Sequence, residues 1–329
     1  MAKPNLLSGI QPTGRLHIGN YLGALRNFVA LQDSGKYQCL FMIADLHSLT
    51  EDFDPKEKTH QILELAADFL AAGIDPKRSV LFQQSAVPSH AELTWIFMAG
   101  APLGELERMT QFKDKAARQR NNINAGLLTY PVLQAVDILL YSPKVVPVGE
   151  DQMQHVELTR TLARKFNTNF GETFLEPQAL LTEVPKVMSL QDPAKKMSKS
   201  VPQGCLFLDD TPDTVLDKVK RAVTDSGSEI FYDPASKPAV ANLLRIMSAL
   251  SGEKIESIQE RFIGRGYADF KRELAETIID HFAEYRRKKT ELMKKPAILK
   301  KILKDGSTKA DKVASKKLLE VKKKIGILL

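Results

Sequence analysis

The sequence predicts an α/β fold, with a doubly wound parallel sheet in the first half of the chain and an all-helical region after it. Short apolar runs at residues 6–10, 38–44, 79–84 and 145–148 are separated by segments of helical character. Such alternation is typical of parallel strands that are connected by helices. Beyond residue 211 no further strand-like run occurs. The first half is therefore expected to form a Rossmann-like domain, and the second half a helical one.

The ends of two helices are marked in the sequence. Asp54 followed by Pro55 predicts a helix start, because an aspartate side chain accepts backbone N–H groups at an N-cap and proline fits the first turn. Gly73 predicts the end of the same helix. Thr211 followed by Pro212 predicts the start of another helix by the same reasoning.

The composition predicts a soluble globular protein. Of the 329 residues, 43% are hydrophobic and 26% are charged, and no apolar run reaches the length of a membrane span. The first residues lack the apolar stretch of a secretory signal, so we expect a cytoplasmic protein with no membrane contact. Cys39 and Cys205 are too few for a disulfide framework and are expected to be reduced.

Positive charge is concentrated at the end of the sequence. Residues 283–329 contain 16 Lys or Arg and 5 Asp or Glu, a net charge of +11, whereas residues 1–282 contain 31 and 35, a net charge of −4. A basic segment of this kind favours a polyanionic partner, but a solvated helical surface has the same composition. Charge alone leaves both interpretations open.

Polar residues follow three of the predicted strands at their carboxyl ends. These residues are Gln11, His17 and Asn20 after the first strand, Asp45 and His47 after the second, and 149–152 after the run at 145–148. Open parallel sheets bind ligands outside the carboxyl ends of their strands. The polar loops are therefore expected to line one crevice.

Two short motifs point to a nucleoside triphosphate. Residues 196–200 read Lys-Met-Ser-Lys-Ser, and residues 17–20 read His-Ile-Gly-Asn. Two lysines on a loop of small residues can hold a transferring triphosphate, and His17 and Asn20 can donate hydrogen bonds to the same phosphates. Gly19 would let a flat nucleobase approach the backbone. Either motif alone is compatible with an ordinary loop, but together and in this order they suggest one reaction.

The two motifs resemble those of class I aminoacyl-tRNA synthetases, and the residues between them are similar to the tryptophanyl members of bacterial and organellar type. The resemblance extends from about residue 6 to the end of the sequence. It implies a ligase that activates tryptophan with ATP to tryptophanyl-adenylate and transfers it to the 3′ terminal ribose of tRNA(Trp). It also implies Mg²⁺ with the ATP phosphates, tRNA(Trp) and tryptophan as partners, and a homodimer.

Residue roles follow from the resemblance position by position. For catalysis it implies His17, Asn20, Lys115, Lys196 and Lys199. For ATP binding it implies Gln11, Pro12, Thr13, Gly19, Asn20, Gly149, Glu150, Asp151, Val187, Lys196, Met197, Ser198, Lys199 and Ser200. Asn20 stands where the usual class motif has a second histidine, and it remains a hydrogen-bond donor without an ionisable charge.

The resemblance implies that the amino-acid pocket lies on a helix at residues 129–142. Tyr130, Gln134 and Asp137 lie at i, i+4 and i+7, hence on one face. A buried carboxylate is costly unless it is paired, so Asp137 requires a donor, and an indole N–H is one. By resemblance, Asp137 accepts that N–H and Tyr130 holds the substrate amino group. Gln134, His47 and Gln111 are the other tryptophan-binding residues that it implies.

Gln134 leaves the helix compatible with tryptophan or tyrosine. Tyrosyl enzymes have the same Tyr-x-x-x-Gln-x-x-Asp spacing, whereas many bacterial tryptophanyl enzymes have Met at this position and organellar ones have Gln. Residues 105–115 and 146–155 match the tryptophanyl pattern, in which Gln111 reaches the amino acid and Lys115 the phosphates. A tyrosyl enzyme is the first alternative. A small-molecule nucleotidyltransferase and a non-catalytic RNA-binding paralogue are the others.

The remaining histidines and the single tryptophan are interpreted as structural. The six histidines show no metal-ligand spacing, so no protein-held metal is predicted. His60, His90 and His281 are interpreted as surface or capping residues, and His155 as a packing residue. Trp95 is interpreted as a packed helix residue.

Two domains are predicted. Residues 1–192 are expected to form the Rossmann-like catalytic domain that binds ATP and tryptophan. Residues 193–329 are expected to hold a mobile loop at 196–200 and a helical anticodon-binding domain, whose last helix packs back on the catalytic domain.

Overall fold

The computed structural model describes residues 3–110, 123–181 and 186–328, apart from the side chain of Asp151. Within these residues the strands are β1 (Asn5–Ile10), β2 (Gln38–Ile43), β3 (Val80–Gln83), β4 (Val145–Val148) and β5 (Gln178–Leu181). The α-helices are α1 (Ile18–Asn20), α2 (Arg26–Asp33), α3 (Pro55–Ala71), α4 (Ser89–Met98), α5 (Leu103–Arg108), α6 (Ala125–Leu140), α7 (Met153–Phe170), α8 (Pro212–Lys220), α9 (Pro238–Ser251), α10 (Ile255–Arg261), α11 (Tyr267–His281), α12 (Ala283–Met293) and α13 (Pro296–Lys324). Shorter turns are a π-helical turn at Tyr21–Leu25 and 3₁₀ turns at His47–Thr50, Gln84–Ala86, Glu150–Gln152 and Pro202–Gly204.

The strands form one parallel sheet in the order β3-β2-β1-β4-β5. β1 is central, since Leu6 is in register with Cys39 of β2 on one side and with Val145 of β4 on the other. This order confirms the predicted doubly wound, Rossmann-like sheet. The strands β2 and β3 are added on one side of β1, and β4 and β5 are added on the other side, so the strand order reverses between β1 and β4. In such sheets ligands bind in the crevice at this point, next to the carboxyl ends of the two strands.

Four strands coincide with the predicted apolar runs to within one residue at each end. They are largely apolar because a parallel sheet is covered on both faces, and Leu6, Phe41 and Ile43 are fully buried. β5 was not predicted. It lies at the edge of the sheet and is partly exposed, so it lacks the continuous apolar run that marks the other strands.

The predicted helix ends are confirmed. The Asp54 side chain accepts the backbone N–H of Lys56 at 2.9 Å at the start of α3, and Gly73 follows the end of α3 with a φ of +117°. At the start of α8 the Thr211 hydroxyl accepts the backbone N–H of Thr214 at 3.3 Å. In each case a short polar side chain satisfies an N–H group that the first helical turn leaves without a partner.

The chain divides into two compact units. Unit 1 comprises Met1–Gly14, Phe28–Thr182 and Lys295–Leu329, and it contains the sheet. Unit 2 comprises Arg15–Asn27 and Glu183–Lys294, and its longer helices are α8 to α12. This division by contacts differs from the predicted functional boundary after residue 192, and the assignment of functions to the two domains stays a prediction.

The last helix, α13, belongs to unit 1 and packs along β3. The contact is so close that a β-carbon on Gly306 would lie 1.8 Å from the carbonyl oxygen of Leu81. The Ser307 hydroxyl accepts the backbone N–H of Gln83 at 3.2 Å, and Ala310 and Ala314 are fully buried. Small side chains therefore let the helix approach the strand. None of the described helices, α13 included, is long and apolar enough to span a membrane.

The interpretation of Trp95 as a packed residue is wrong. Its side chain on α4 is 70% exposed. Leu93 and Phe97, which lie four residues apart on one face of the helix, are buried. Trp95 lies midway between them in sequence, and the helical period turns it to the opposite face.

Candidate active site

The segment after β1 carries the first group of predicted ATP residues. Gln11, Pro12 and Thr13 follow β1 in unit 1, and the backbone N–H of Thr13 donates to the carbonyl of Gln11 at 3.0 Å. Pro12 is buried and Thr13 is exposed. Gly14 has a φ of +89°, a conformation that favours glycine. The turn therefore places these residues at the carboxyl end of the central strand.

His17 is the N-cap residue of α1 in unit 2. Its Nδ1 accepts the backbone N–H of Gly19 at 3.1 Å, while its own backbone N–H donates to Oδ1 of Asn20 at 3.1 Å. The backbone N–H of Ile18 donates to the carbonyl of Leu206 at 3.0 Å and fixes the turn against a neighbouring segment. The His-Ile-Gly-Asn motif is thus a reciprocal cap, which orients the imidazole ring through its Nδ1.

The imidazole of His17 is neutral near pH 7. Burial, together with the positive charges of Lys199 and Lys196, lowers the pKa of His17 to about 4. A neutral ring whose Nδ1 accepts a hydrogen bond carries its hydrogen on Nε2. His17 therefore offers one N–H donor, without a charge of its own, close to two ammonium groups.

The loop at 196–200 is anchored to the segment that contains Val187. Met188 and Lys196 form an antiparallel bridge, and the backbone N–H of Met197 donates to the carbonyl of Val187 at 3.0 Å. Met197 and Val187 are buried, whereas Lys196 is exposed. Ser198 and Ser200 are also exposed, with their hydroxyl oxygens 3.0 Å apart. The buried methionine holds the loop in place and leaves its polar groups accessible.

Unit 2 brings one subset of the predicted residues together. These are His17, Gly19, Asn20, Val187, Lys196, Met197, Ser198, Lys199 and Ser200. Gly19 lies beside Val187, since a β-carbon on Gly19 would be 3.8 Å from Cβ of Val187. The cluster combines a neutral donor, two cations and a small residue. Such a combination can bind phosphates.

Sequence reasoning missed Asn242, which holds this cluster from α9. Its Oδ1 accepts the backbone N–H of Met188 at 2.8 Å, and its Nδ2 donates to the carbonyl of Met188 at 3.0 Å. Asn242 is buried, with 2% exposure. An asparagine in the middle of an apolar helix is the available signal, because a buried amide requires partners outside its own helix.

Unit 1 brings four of the five predicted tryptophan residues, His47, Tyr130, Gln134 and Asp137, together on and around α6. Tyr130, Gln134 and Asp137 all lie on α6, and the described bounds of this helix include the predicted pocket face. Burial raises the pKa of Tyr130 to about 12, and its ring meets that of His47 edge-on at 6.3 Å. Nε2 of Gln134 donates to Oε1 of Gln152 at 3.3 Å, which links α6 to the turn after β4.

Asp137 is 2% exposed and is surrounded by donors. Its Oδ2 lies 2.7 Å from Nε2 of His47, and its Oδ1 lies 2.6 Å from Nδ1 of His90. Nε2 of Gln84 donates to both oxygens, at 2.8 and 2.9 Å. The interpretation of His90 as a surface or capping residue is wrong, because the side chain is fully buried. Gln84 was also missed, although it directly follows β3 and the rule for strand ends would have found it.

The turn after β4 contains further predicted ATP residues. Gly149 precedes the 3₁₀ turn Glu150–Gln152, and the backbone N–H of Gln152 donates to the carbonyl of Gly149 at 3.0 Å. Glu150 is exposed. Gln111, Lys115 and the side chain of Asp151 lie outside the described residues.

The doubly wound sheet of unit 1 and the His-Ile-Gly-Asn and Lys-Met-Ser-Lys-Ser segments of unit 2 are typical of class I aminoacyl-tRNA synthetases. The sequence model of the family described as "tRNA synthetases class I (W and Y)" matches residues 2–283. The chain belongs to this family and, within it, to the tryptophanyl branch, on the basis of the following relatives.

A tryptophan–tRNA ligase of Caldanaerobacter subterraneus subsp. tengcongensis is 46% identical over 327 residues, which cover 98% of each chain. A tryptophan–tRNA ligase of Bacillus anthracis is 46% identical over 98% of each chain. Among solved structures, the tryptophanyl-tRNA synthetase of Campylobacter jejuni in complex with ADP and tryptophan has a TM-score of 0.85 and 39% identity, and covers 98% of this chain and 99% of that one. The tryptophanyl-tRNA synthetase of Mycoplasma pneumoniae has a TM-score of 0.87 and 36% identity over 99% and 98%.

Proposed function

We propose that this chain joins tryptophan to tRNA(Trp) in two steps. In the first step, a carboxylate oxygen of tryptophan attacks the α-phosphorus of ATP, and the bond to the bridging oxygen breaks to release pyrophosphate. In the second step, a hydroxyl of the 3′ terminal ribose of the tRNA attacks the carbonyl carbon of the adenylate and releases AMP. The attacking carboxylate is already a nucleophile, so positioning and charge stabilisation carry the first step.

The observation that carries this proposal is the neutral His17 beside two lysines. Nε2–H of His17 would donate to a phosphate oxygen, while Lys196 and Lys199 would stabilise the charge that moves to the departing pyrophosphate. Both types of group are needed, because ammonium groups supply charge and the fixed imidazole supplies direction. The resemblance assigns Gly19 and Val187 to the adenine, and it also assigns the residues after β1 and after β4 to ATP binding.

Mg²⁺ would enter with ATP. Among the described residues, no group of three or more His, Cys, Asp or Glu side chains is arranged to hold a metal ion. Mg²⁺ keeps several waters and commonly binds proteins through substrate phosphates, which suits a cationic phosphate cluster of this kind. The ion would neutralise part of the phosphate charge when bound, and His17 and the lysines would orient the same phosphates.

Selection of tryptophan would depend on Asp137. A buried carboxylate that accepts the indole N–H disfavours an amino acid without that group, because the carboxylate is then left with one partner fewer. His47, Tyr130 and Gln134 would form the pocket around the indole. The resemblance adds Gln111 and places the substrate amino group near the Tyr130 hydroxyl.

The partners and the cellular location are proposed from the family and from the charge distribution. We assign anticodon binding to the helices between Pro212 and Met293, because α13 packs within unit 1. A homodimer would present each tRNA to two subunits, and a cytoplasmic location fits a partner of translation. The basic residues after Arg286 are candidates for phosphate contacts.

Amino-acid-dependent exchange of pyrophosphate into ATP tests the proposal. The exchange should occur with tryptophan and be at background with tyrosine, since residues 105–115 and 146–155 match the tryptophanyl and not the tyrosyl pattern. A Lys199→Ala variant measured in parallel gives the exchange rate that remains when a lysine proposed to contact the phosphates is removed. Exchange driven by tyrosine would favour the tyrosyl alternative, and an absence of exchange with either amino acid would favour a non-catalytic RNA-binding protein.

A further inference from the structure

The carboxylate of Asp137 is held differently at its two oxygens. Oδ1 receives Nδ1–H of His90, which projects from α4 and has a fully buried side chain. Oδ2 lies against Nε2 of His47, which belongs to the short turn His47–Thr50 and has a side chain with 7% exposure. Gln84 bridges both oxygens. One oxygen is therefore fixed from a long helix, and the other adjoins the residues predicted for the tryptophan pocket.

The hydrogen bond between His90 and Asp137 has a defined direction. Burial alone would raise the pKa of Asp137, but the imidazoles of His47 and His90 hold it well below its ordinary value. An ionised carboxylate only accepts hydrogen bonds, so Nδ1 of His90 carries a hydrogen and donates it to Oδ1. Nε2 of His90 lies 2.8 Å from the hydroxyl of Tyr141.

Tyr141 contacts the second ring nitrogen of His90, on the side away from Asp137. Burial, with the negative charges of Asp137 and Asp311, raises the pKa of Tyr141, so its hydroxyl keeps its hydrogen. His90 thus donates to Asp137 through Nδ1 and is paired with the Tyr141 hydroxyl through Nε2. The ring of Tyr141 is 1% exposed and packs against both His90 and Phe82. Tyr141 thus holds the ring of His90 in place, and His90 holds the carboxylate of Asp137.

We infer that His90 is a positioning residue for amino-acid selection, which fixes Oδ1 of Asp137 so that Oδ2 is presented to the indole N–H of tryptophan. The inference rests on the proposed function, in which Asp137 accepts that N–H. His90 touches no substrate atom in this account. It acts through Asp137. When the indole binds, its N–H either joins Nε2 of His47 at Oδ2 or replaces it there.

A pair of substrates separates this role from simple packing. In 3-(3-benzothienyl)alanine a sulfur atom replaces the indole N–H while the bicyclic shape is kept. A misplaced carboxylate weakens the hydrogen bond to tryptophan, but it has no such bond to lose with the sulfur analogue. The ratio of kcat/KM for tryptophan to kcat/KM for the analogue, the selectivity ratio, therefore reports the position of the carboxylate.

The experiment measures the selectivity ratio by pyrophosphate exchange in the wild type, His90→Leu, His90→Asn and Asp137→Asn. His90→Leu should lower the ratio about 10- to 100-fold, with the KM for ATP unchanged, since the loss of a hydrogen bond to a buried charge is of this size. His90→Asn should recover most of the ratio, because its amide nitrogen lies near the position of Nδ1. An equal loss of kcat/KM for both substrates in His90→Leu would overturn the inference.

Two further measurements keep the test decisive. If His90→Leu does not fold, as judged by thermal unfolding, Tyr141→Phe takes its place: it should lower the ratio by a few fold, and an unchanged ratio would overturn the inference. Asp137→Asn separates the two proposals. An unchanged ratio in Asp137→Asn would sink the proposed role of Asp137 and the inference with it. A collapsed ratio in Asp137→Asn with a normal ratio in His90→Leu would sink the inference alone.

Discussion

Nδ1 of His17 accepts the backbone N–H of Gly19 at a distance of 3.1 Å. This bond uses the one nitrogen that a neutral imidazole has available as an acceptor, so the hydrogen must be on the other nitrogen. The consequence for phosphate binding is directional. Whatever oxygen contacts His17 receives an N–H from Nε2, and the backbone of the helix start determines the direction of that bond.

Replacement of His17 by asparagine should separate the cap from the donor. Asparagine is a good N-cap residue, so His17→Asn should keep the helix start, while the Nε2–H donor is lost. We expect the rate of tryptophan-dependent pyrophosphate exchange to fall about 100-fold, which is typical for the loss of one transition-state donor. Thermal unfolding should stay close to that of the wild type. His60→Asn, at an exposed histidine, is the control, and a His17→Asn rate within about threefold of the wild type would contradict the role.

The pKa of His17 predicts how stability depends on pH. It is lowered from its ordinary value of 6.5 to about 4 by burial and by the charges of Lys199 and Lys196, so the unfolded chain takes up this proton at a higher pH than the folded protein does. The contribution of the neutral imidazole is therefore fully present above pH 6.5 and is lost as the pH falls towards 4.

The free energy of unfolding by urea measures this dependence. Between pH 7.5 and 5, the wild type should lose about 2 kcal/mol more than His17→Asn, which has no proton to gain at this position. The other titrating groups are common to both proteins and cancel in the difference. Parallel pH profiles for the two proteins would show that His17 titrates normally in the folded state.

Lys199 and its neighbour Lys195 offer a matched pair. Lys199→Ala should lower the rate of adenylate formation about 100-fold or more while the dissociation constant of tryptophan changes little, because its charge acts on the departing pyrophosphate. Lys195 is one residue before the loop, with a side chain that is 79% exposed and paired with Asp192 at 2.9 Å. Lys195→Ala should leave the rate unchanged. Equal weakening of tryptophan binding and rate in Lys199→Ala would count against the assigned role.

Replacement of Asn242 should raise the KM for ATP and leave the KM for tryptophan unchanged. Asn242→Ala leaves both backbone groups of Met188 without their side-chain partner, and we expect the KM for ATP to rise about tenfold. The KM for tryptophan should be unchanged, since the tryptophan residues of unit 1 are not held by this side chain. Asn242→Asp keeps the acceptor for the N–H and loses the donor to the carbonyl, so its effect should be intermediate. A rise in both KM values would indicate a general loss of structure instead.

Gly306 should tolerate no side chain. A β-carbon there would meet the carbonyl oxygen of Leu81 at 1.8 Å, and neither backbone can give way without separating α13 from β3. We expect Gly306→Ala to lower the free energy of unfolding by about 3 kcal/mol. Gly104→Ala is the control, because its β-carbon would meet only the end of the Arg108 side chain, at 3.3 Å. That variant should be neutral or slightly stabilising, since alanine favours helices. Equal unfolding midpoints for the two variants would disprove the close contact.

The apolar runs predicted four strands because both faces of a parallel sheet are buried, and Asp54, Gly73 and Thr211 predicted helix ends because their effects are local. The edge strand Gln178–Leu181 was missed because it is partly exposed and has no such pattern. Local sequence patterns thus predict most of the fold. The edge strand was missed because its partial exposure leaves no continuous apolar run in the sequence.

The residues of the candidate site also fall into those that local sequence patterns predict and those that they do not. The two motifs and the face of α6 were readable because their spacing is fixed within single segments. His90 and Asn242 were not, since each gains its role from a partner 47 or 54 residues away in the sequence. A single histidine in a helix has the same local pattern whether it is solvated or bonded to a buried carboxylate.

The contact between β3 and α13 also sets an order of events during synthesis. Val80–Gln83 leaves the ribosome early, whereas Pro296–Lys324 is made only after the whole of Glu183–Lys294 has been added. Until then the strand has no helix along this flank, and the backbone around Leu81 remains uncovered while unit 2 is already available to fold. Unit 1 is thus completed by one of the last helices to be translated, which makes its maturation a late step of synthesis.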